Sequence, residues 1–273
     1  MHPTPTWDPQ QYLRHSGHRT RPFLDLLARI PALPGPGPAR IVDLGCGAGN
    51  VTALLADRWP DADITGLDNS PEMLREAAAH AGENAGGGRT SFAAADAADW
   101  TPDSPLDLLV SNALLQWVPD HTASFPAWTD ALTPGGVLAF QVPGNQDAPS
   151  HTTLRRLCAT PHWRTRLADT ARGPDHVLTP AAYLTLLTDL GLTVDAWETT
   201  YLHLLPGPDP VLDWIKGTGL RPVLTALADD PAERDTFLAE YAALLREAYP
   251  PGPHGTVFPF RRIFVVARKP PAG

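Results

Sequence analysis

The stretch IVDLGCGAGNVT at residues 41 to 52 limits the fold more than any other part of the sequence. An apolar run ends in glycines at 45, 47 and 49, and helical periodicity follows, so the backbone must leave a strand, turn tightly and enter a helix. A turn of that kind lets a ligand approach the amides at the start of the helix. The dinucleotide fingerprint places its third glycine three residues beyond its second, whereas Gly47 and Gly49 are two apart, which disfavours NAD.

The strand-to-helix step then repeats. Residues 40 to 44 read as a strand, about 50 to 59 as a helix, 63 to 68 as a strand and 71 to 80 as a helix, with Ser70 as its cap and Pro71 at its first position. A loop at 82 to 88, a short strand ending near Asp96, a strand at 106 to 111, a helix around 125 to 132 and a strand at 137 to 142 continue the pattern. Alternation of this kind implies parallel pairing with right-handed crossovers, and ligands bound outside the carboxyl ends of the strands. Before it, residues 12 to 30 read as a helix that the PALPGPGPA run at 31 to 39 cannot continue. After it, residues 151 to 172 and 209 to 249 read as helices, the latter with Phe237, Leu238, Tyr241, Leu244, Leu245 and Ala248 on one stripe. A helix at 180 to 190, a strand near 192 to 204 and a strand at 262 to 267 complete the reading, with the helical pieces expected as a cap over the strand ends.

Composition narrows the partners. Thirty acidic against 21 basic residues give a net charge of −9, which argues against a general affinity for nucleic acid or anionic membranes. Lys216 and Lys269 are the two lysines, so an anion site here must be built mainly from arginine, histidine, tyrosine and backbone amides. The two cysteines, Cys46 and Cys158, cannot form a disulfide framework and have no neighbours at zinc spacing; they read as buried small side chains, with no metal expected. No apolar window is long enough to span a bilayer and no secretory leader is evident, which points to a cytoplasmic protein.

Two further strand ends carry an acid: Asp68, 19 residues after Gly49, and Asp96. Asp68 is placed to accept from both hydroxyls of a ribose, and Asp96 suits the amino edge of an adenine. The glycine loop and these two acids in register resemble the class I S-adenosylmethionine-dependent methyltransferases. The resemblance implies a Rossmann-like, doubly wound, seven-stranded α/β sheet with a helical cap, binding S-adenosyl-L-methionine and releasing S-adenosyl-L-homocysteine. It further implies that Gly45, Gly47 and Gly49, with Asp43 ahead of them, face the methionine part and Asp68 the ribose. Asp96 and Ala97 would face the adenine, Asn69 and Met73 would pack the adenosine, and Ser111, Asn112 and Ala113 would border the sulfonium. The matching domain plan is an N-terminal segment at 1–30 over the cofactor site, a cofactor-binding core at 40–145, cap helices at 146–178, a core helix and strand at 179–205, a helical insertion at 206–257 and a last strand with tail at 258–273.

Segments 7–22, 111–121, 139–145, 199–206, 213–222 and 260–269 are similar to the trans-aconitate 2-methyltransferase family from end to end, while about 145 to 177 and the stretch before Phe260 diverge from its pattern. That resemblance implies a methyl ester formed on one carboxylate of trans-aconitate or a similar small polycarboxylate. A carboxylate is already ionised at neutral pH, so placement and neutralisation of the spare charges are needed rather than a strong base. The preferred residues are Gln116, Trp117 and His203 at the reacting centre and Tyr12, Arg19, Tyr201, Lys216, Arg221 and Arg262 on the substrate. Two other readings stay open. A hydroxyl acceptor of secondary metabolism would require a general base, His203 or His121, and a non-catalytic S-adenosylmethionine-binding protein would keep the cofactor loops without transfer. The sequence leaves oligomeric state open, a monomer included.

Overall fold

The computed structural model describes residues 16–35, 37–167, 170 and 177–272, with side chains from Thr20 onward. In chain order the elements are α1 (Ser16–Arg29), β1 (Arg40–Leu44), α2 (Thr52–Arg58), β2 (Asp63–Asp68), α3 (Pro71–Ala77), β3 (Gly82–Glu83), β4 (Arg89–Ala94), β5 (Leu106–Asn112), α4 (Phe125–Asp130) and β6 (Leu132–Pro143). There follow α5 (Pro149–Cys158), α6 (Arg164–Leu167), α7 (Pro180–Asp189), β7 (Thr193–Leu205), α8 (Pro210–Lys216), α9 (Arg221–Ala226), α10 (Pro231–Ala248) and β8 (Thr256–Arg268). The chain divides into two compact units. One comprises Gly17–Pro143, His176–Thr199 and Arg262–Gly273; the other includes Gly144–Asp175 and Thr200–Arg261.

The first unit is the α/β layer. The sheet runs β3-β4-β2-β1-β5-β6-β8-β7. Pairing is parallel from β4 to β6 and antiparallel at β3–β4 and β6–β8. The expectation of seven strands is therefore short by one: Gly82 and Glu83, read as loop, form a two-residue antiparallel edge strand. Central strands are buried on both faces, as parallel sheets covered by helices must be, and β5 and most of β6 are accordingly buried at nearly every position. Between sheet and helices lies an aromatic cluster. Phe125 sits 5.6 Å from Phe140, and Tyr183 meets Phe140 edge-on at 5.1 Å. The Tyr183 hydroxyl lies 2.8 Å from the Nε2 atom of buried His121, whose Nδ1 faces the Val118 carbonyl at 3.3 Å.

Helices fill the second unit. Trp163 meets Phe237 edge-on at 5.1 Å and donates its indole N–H to Glu240 at 2.8 Å. Tyr241 donates its hydroxyl to the Ser150 carbonyl at 2.7 Å, and the Ser150 amide donates to the Tyr249 hydroxyl at 3.1 Å, which ties α5 to α10. Asp230 caps α10 by accepting from the Glu233 amide at 3.1 Å. Of the stripe expected on this helix, Phe237, Tyr241 and Leu245 are buried, whereas Leu244 lies at the exposed margin.

Candidate active site

The site grows from the carboxyl ends of β1, β2, β4 and β5. Parallel register puts Asp43 opposite Gly66 and Val110, and Asp68 opposite Ala94, so the loops after these strands emerge side by side. Backbone bonds lock them together: the amides of Gly45 and Cys46 both donate to the Leu67 carbonyl, at 2.7 and 2.9 Å. Glycine is required at two of the turns for different reasons. A side chain on Gly45 would strike Leu114 at 2.8 Å, so its space belongs to the protein. Gly47, at φ +56°, has nothing among the described residues within 4 Å of where a Cβ would stand, so its side is open there.

Asp68 is held by this frame. One carboxylate oxygen accepts from the Gly47 amide at 2.9 Å and the other from the Ser70 amide at 2.9 Å, so the residue orients the glycine loop and also starts the turn into α3. Ser70 then caps α3 by accepting from the Met73 amide at 3.3 Å, with Pro71 in the first turn, as the sequence indicates. Asp96 is exposed, accepts from the Ala98 amide at 3.0 Å and faces the Asn69 amide group at 3.4 Å, which brings the second and third loops together. Met73 and Ala97 are buried, at 5% and 6% exposure, so they form the floor here. Asp43 lies deepest, at 0% exposure. Its Oδ2 accepts from the Thr52 hydroxyl at 2.6 Å, and its Oδ1 has no hydrogen-bond partner among the described residues. Burial, offset in part by the Thr52 bond and reinforced by the nearby Asp68 charge, pushes the Asp43 carboxyl up to about 7. Beside it the Cys46 thiol is buried and raised far above its ordinary value, first by burial and then by the charges of Asp43 and Asp68, so it is inert.

Beyond β5 the chain turns through Ala113, a non-glycine residue at φ +57°. The Ser111 hydroxyl donates to the Leu44 carbonyl at 2.9 Å and thereby staples β5 to β1. Gln116 donates its amide to the Ala113 carbonyl at 2.6 Å, closing the strained turn, and Trp117 ends the short 3₁₀ segment that follows. Arg262 is 6% exposed; its guanidinium donates to Gln141 Oε1 at 3.2 Å, and Gln141 in turn donates to Asn112 Oδ1 at 2.5 Å. Gln141 and Thr52 were missed in the sequence. A polar residue inside the run AFQV was the available signal for Gln141; nothing comparable marks Thr52.

In the second unit, Tyr201, His203 and Leu205 alternate inward along β7. His203 is 6% exposed and stacks on Trp214 with ring centres 4.7 Å apart, with Tyr201 parallel to it at 6.4 Å. Lys216 ends α8 and pairs with Asp213 at 3.4 Å, a partly exposed pair of small energetic consequence. Arg221 opens α9 with its Nε atom buried and without a partner among the described residues. His151 of α5 approaches the intervening loop: its Nε2 would lie 3.4 Å from a Cβ on Gly219, and sequence reasoning did not select it. Tyr12 lies outside the described residues, as does the side chain of Arg19, which sits on α1. His121 is engaged with Tyr183 and Val118 in the aromatic cluster and serves packing there.

Residues 41–136 match the family model described as a methyltransferase domain. Over 97% of its length this chain is 67% identical to a trans-aconitate 2-methyltransferase of Streptomyces avermitilis, covering 97% of that protein. Against the one from Streptomyces coelicolor the identity is 66%, over 97% of this chain and 88% of the relative. The chain belongs to the trans-aconitate 2-methyltransferase family. Solved structures agree on the fold of this methyltransferase. The YcgJ protein of Bacillus subtilis superposes with a TM-score of 0.58 at 16% identity, over 93% of this chain and all of that one. A phosphoethanolamine N-methyltransferase of Haemonchus contortus, solved with S-adenosylhomocysteine, gives 0.52 at 17%, over 92% of this chain and 52% of that one. Among the described residues of the methyltransferase, no helix is long and apolar enough to cross a membrane.

Proposed function

We propose that this enzyme transfers the methyl group of S-adenosyl-L-methionine to one carboxylate of trans-aconitate, or of a closely similar small polycarboxylate, giving a methyl ester and S-adenosyl-L-homocysteine. The observation that carries the reading is the match of 66–67% over nearly the whole chain to relatives of that name, because it extends well beyond the cofactor loops. The residues at the strand ends fit the cofactor: Gly47 leaves open space, Asp68 is fixed by two amides, and the buried Asp43 presents an oxygen without a partner. When bound, S-adenosylmethionine supplies a methyl group on a positively charged sulfur. Gly45, Gly47 and Gly49 would hold its methionine part, Asp68 its ribose and Asp96 and Ala97 its adenine, with Asn69 and Met73 packing the adenosine and Ser111 and Asn112 bordering the sulfur. The acceptor carboxylate arrives ionised, so the chain has to hold its oxygen in line, exclude water and neutralise the spare charges. Arg262, Arg221, Lys216, Arg19, Tyr12 and Tyr201 are the donors assigned to those charges. Gln116 and Trp117 shape the reacting centre, and His203, stacked on Trp214, orients rather than abstracts. Two buried free cysteines suit the reducing cytoplasm, where we place the protein.

Incubation with cofactor and trans-aconitate, cis-aconitate, isocitrate or citrate tests the reading. The expected product is a base-labile ester heavier by one methylene; no gain with any of the four refutes it. At saturating cofactor the turnover of a carboxylate acceptor stays level between pH 6 and 8, whereas a steep fall below about 6.5 would indicate a hydroxyl acceptor served by a histidine base. Arg221→Ala should raise KM for the tricarboxylate roughly tenfold or more with little change in kcat, since charged hydrogen bonds contribute about 1.5 to 3 kcal/mol.

A further inference from the structure

Gln141 is the one polar side chain in the β6 run from Val137 to Val142, and it is 1% exposed. An amide buried there is tolerated when both of its ends are bonded. Its partners stand on the adjoining strands of the α/β unit: Asn112 is opposite it on β5, and Arg262 of β8 is opposite Pro143, two residues along the same face. A guanidinium donates hydrogen bonds and accepts none, so the Arg262 contact at 3.2 Å requires the oxygen of Gln141 on that side. The Gln141 NH2 group then faces Asn112 and donates to its Oδ1 at 2.5 Å. With that oxygen engaged, Asn112 has its own NH2 group left to present at the carboxyl end of β5, where the residue is partly exposed. The main chain adds to the constraint: the Gln141 carbonyl accepts from the Ala113 amide at 2.9 Å and so holds the positive-φ turn that follows Asn112.

We propose that Gln141 is a positioning residue that fixes the polarity of Asn112, so that Asn112 meets the methyl acceptor as a hydrogen-bond donor and the site favours a carboxylate over a hydroxyl. The inference rests on the carboxyl-methylation reading above. An NH2 group is a poor neighbour for a positively charged sulfur and a good one for an anionic oxygen, so at this strand end it suits one oxygen of the acceptor carboxylate and leaves the other to attack. A hydroxyl acceptor has a proton to give up and needs an accepting group instead. Asn112 offers one only by turning over, which sets its NH2 group against that of Gln141. Arg262 therefore acts through its neighbour as well: it orders the Gln141 amide, which orders Asn112.

The test is calorimetric titration of trans-aconitate into the full-length protein saturated with S-adenosylhomocysteine, with kcat and KM measured alongside. Asn112→Asp keeps an oxygen for the Gln141 NH2 group but puts a second oxygen where the donor was, so affinity for trans-aconitate should fall about tenfold or more. Binding of S-adenosylhomocysteine and thermal unfolding show that each variant is intact. Gln141→Met removes both amide bonds at similar volume and forms a double-mutant cycle with Asn112→Ala. Gln141→Met should weaken trans-aconitate binding about tenfold beside Asn112 and less than about twofold when Asn112 is already alanine. A merely structural role gives the same loss in both backgrounds; that result overturns the proposal, as does unchanged affinity in Asn112→Asp, and both leave the carboxylate reading standing. If Gln141→Met does not fold, Asn112→Asp decides alone. Wild type that binds S-adenosylhomocysteine but no polycarboxylate overturns the carboxylate reading and this inference with it.

Discussion

At the scale of single residues, Asp43 and Gly47 make opposite demands on stability. A carboxyl whose titration is raised to about 7 by burial holds its proton longer in the folded chain than in the unfolded one. Folding should therefore become less favourable as pH climbs from about 4 to 7, by roughly 3 to 4 kcal/mol at the upper end. Asp43→Asn removes that dependence, and urea unfolding of the ligand-free protein should show the variant more stable than wild type at pH 7.5 and little different at pH 4.5. Gly47→Ala tests the other demand. Its φ of +56° costs an alanine about 1 to 2 kcal/mol, and the added methyl stands where the structure leaves space. Thermal unfolding should show a modest drop, and titration with S-adenosylmethionine a loss of affinity of tenfold or more. An affinity near wild type would move the cofactor away from this loop. The glycine loop and both acids were visible in the sequence because each sits at a strand end. The Thr52 hydroxyl was not, since its partner is nine residues away and only the helix turn joins them.

Elements differ in how plainly their limits are written. β1, β2 and α3 begin where expected, because an apolar run or a serine-proline cap marks each start. β6 starts at Leu132, five residues early: Leu132 pairs with Leu106, and an irregularity then resets the register so that Val137 meets Leu108. The span 209 to 249, read as helical without internal limits, holds three helices, with Pro210, Pro222 and Pro231 each in a first turn. The α5–α10 pairing is invisible at the level of sequence pattern because its polar link runs through the Ser150 backbone. Tyr241→Phe removes the hydroxyl that this carbonyl accepts from and should cost about 1 to 2 kcal/mol in denaturant unfolding without altering affinity for S-adenosylmethionine.

For the molecule as a whole, charge sets the terms on which a small anion is met. With a net charge of −9, the distant field repels a polycarboxylate, while contacts with the proposed arginines, of which Arg262 is buried, would act at short range and be screened less. On the proposed substrate, kcat/KM should rise as salt goes from about 10 to 100 mM, when the Debye length shrinks from roughly 30 to 10 Å. A steady fall would instead show a local positive field that steers the anion. The residues proposed for the substrate are the least legible part of the sequence for a related reason: arginine, histidine and tyrosine have many structural uses, and Lys216 and His203 already have partners of their own. Strand order carries a last consequence. β8 lies between β6 and β7 although it is made after both. On the ribosome, then, the nascent chain must carry β6 and β7 as unsealed margins until β8 emerges. That interval is when a chaperone has most to protect, and translation that halts before Thr256 yields a sheet with its seam open.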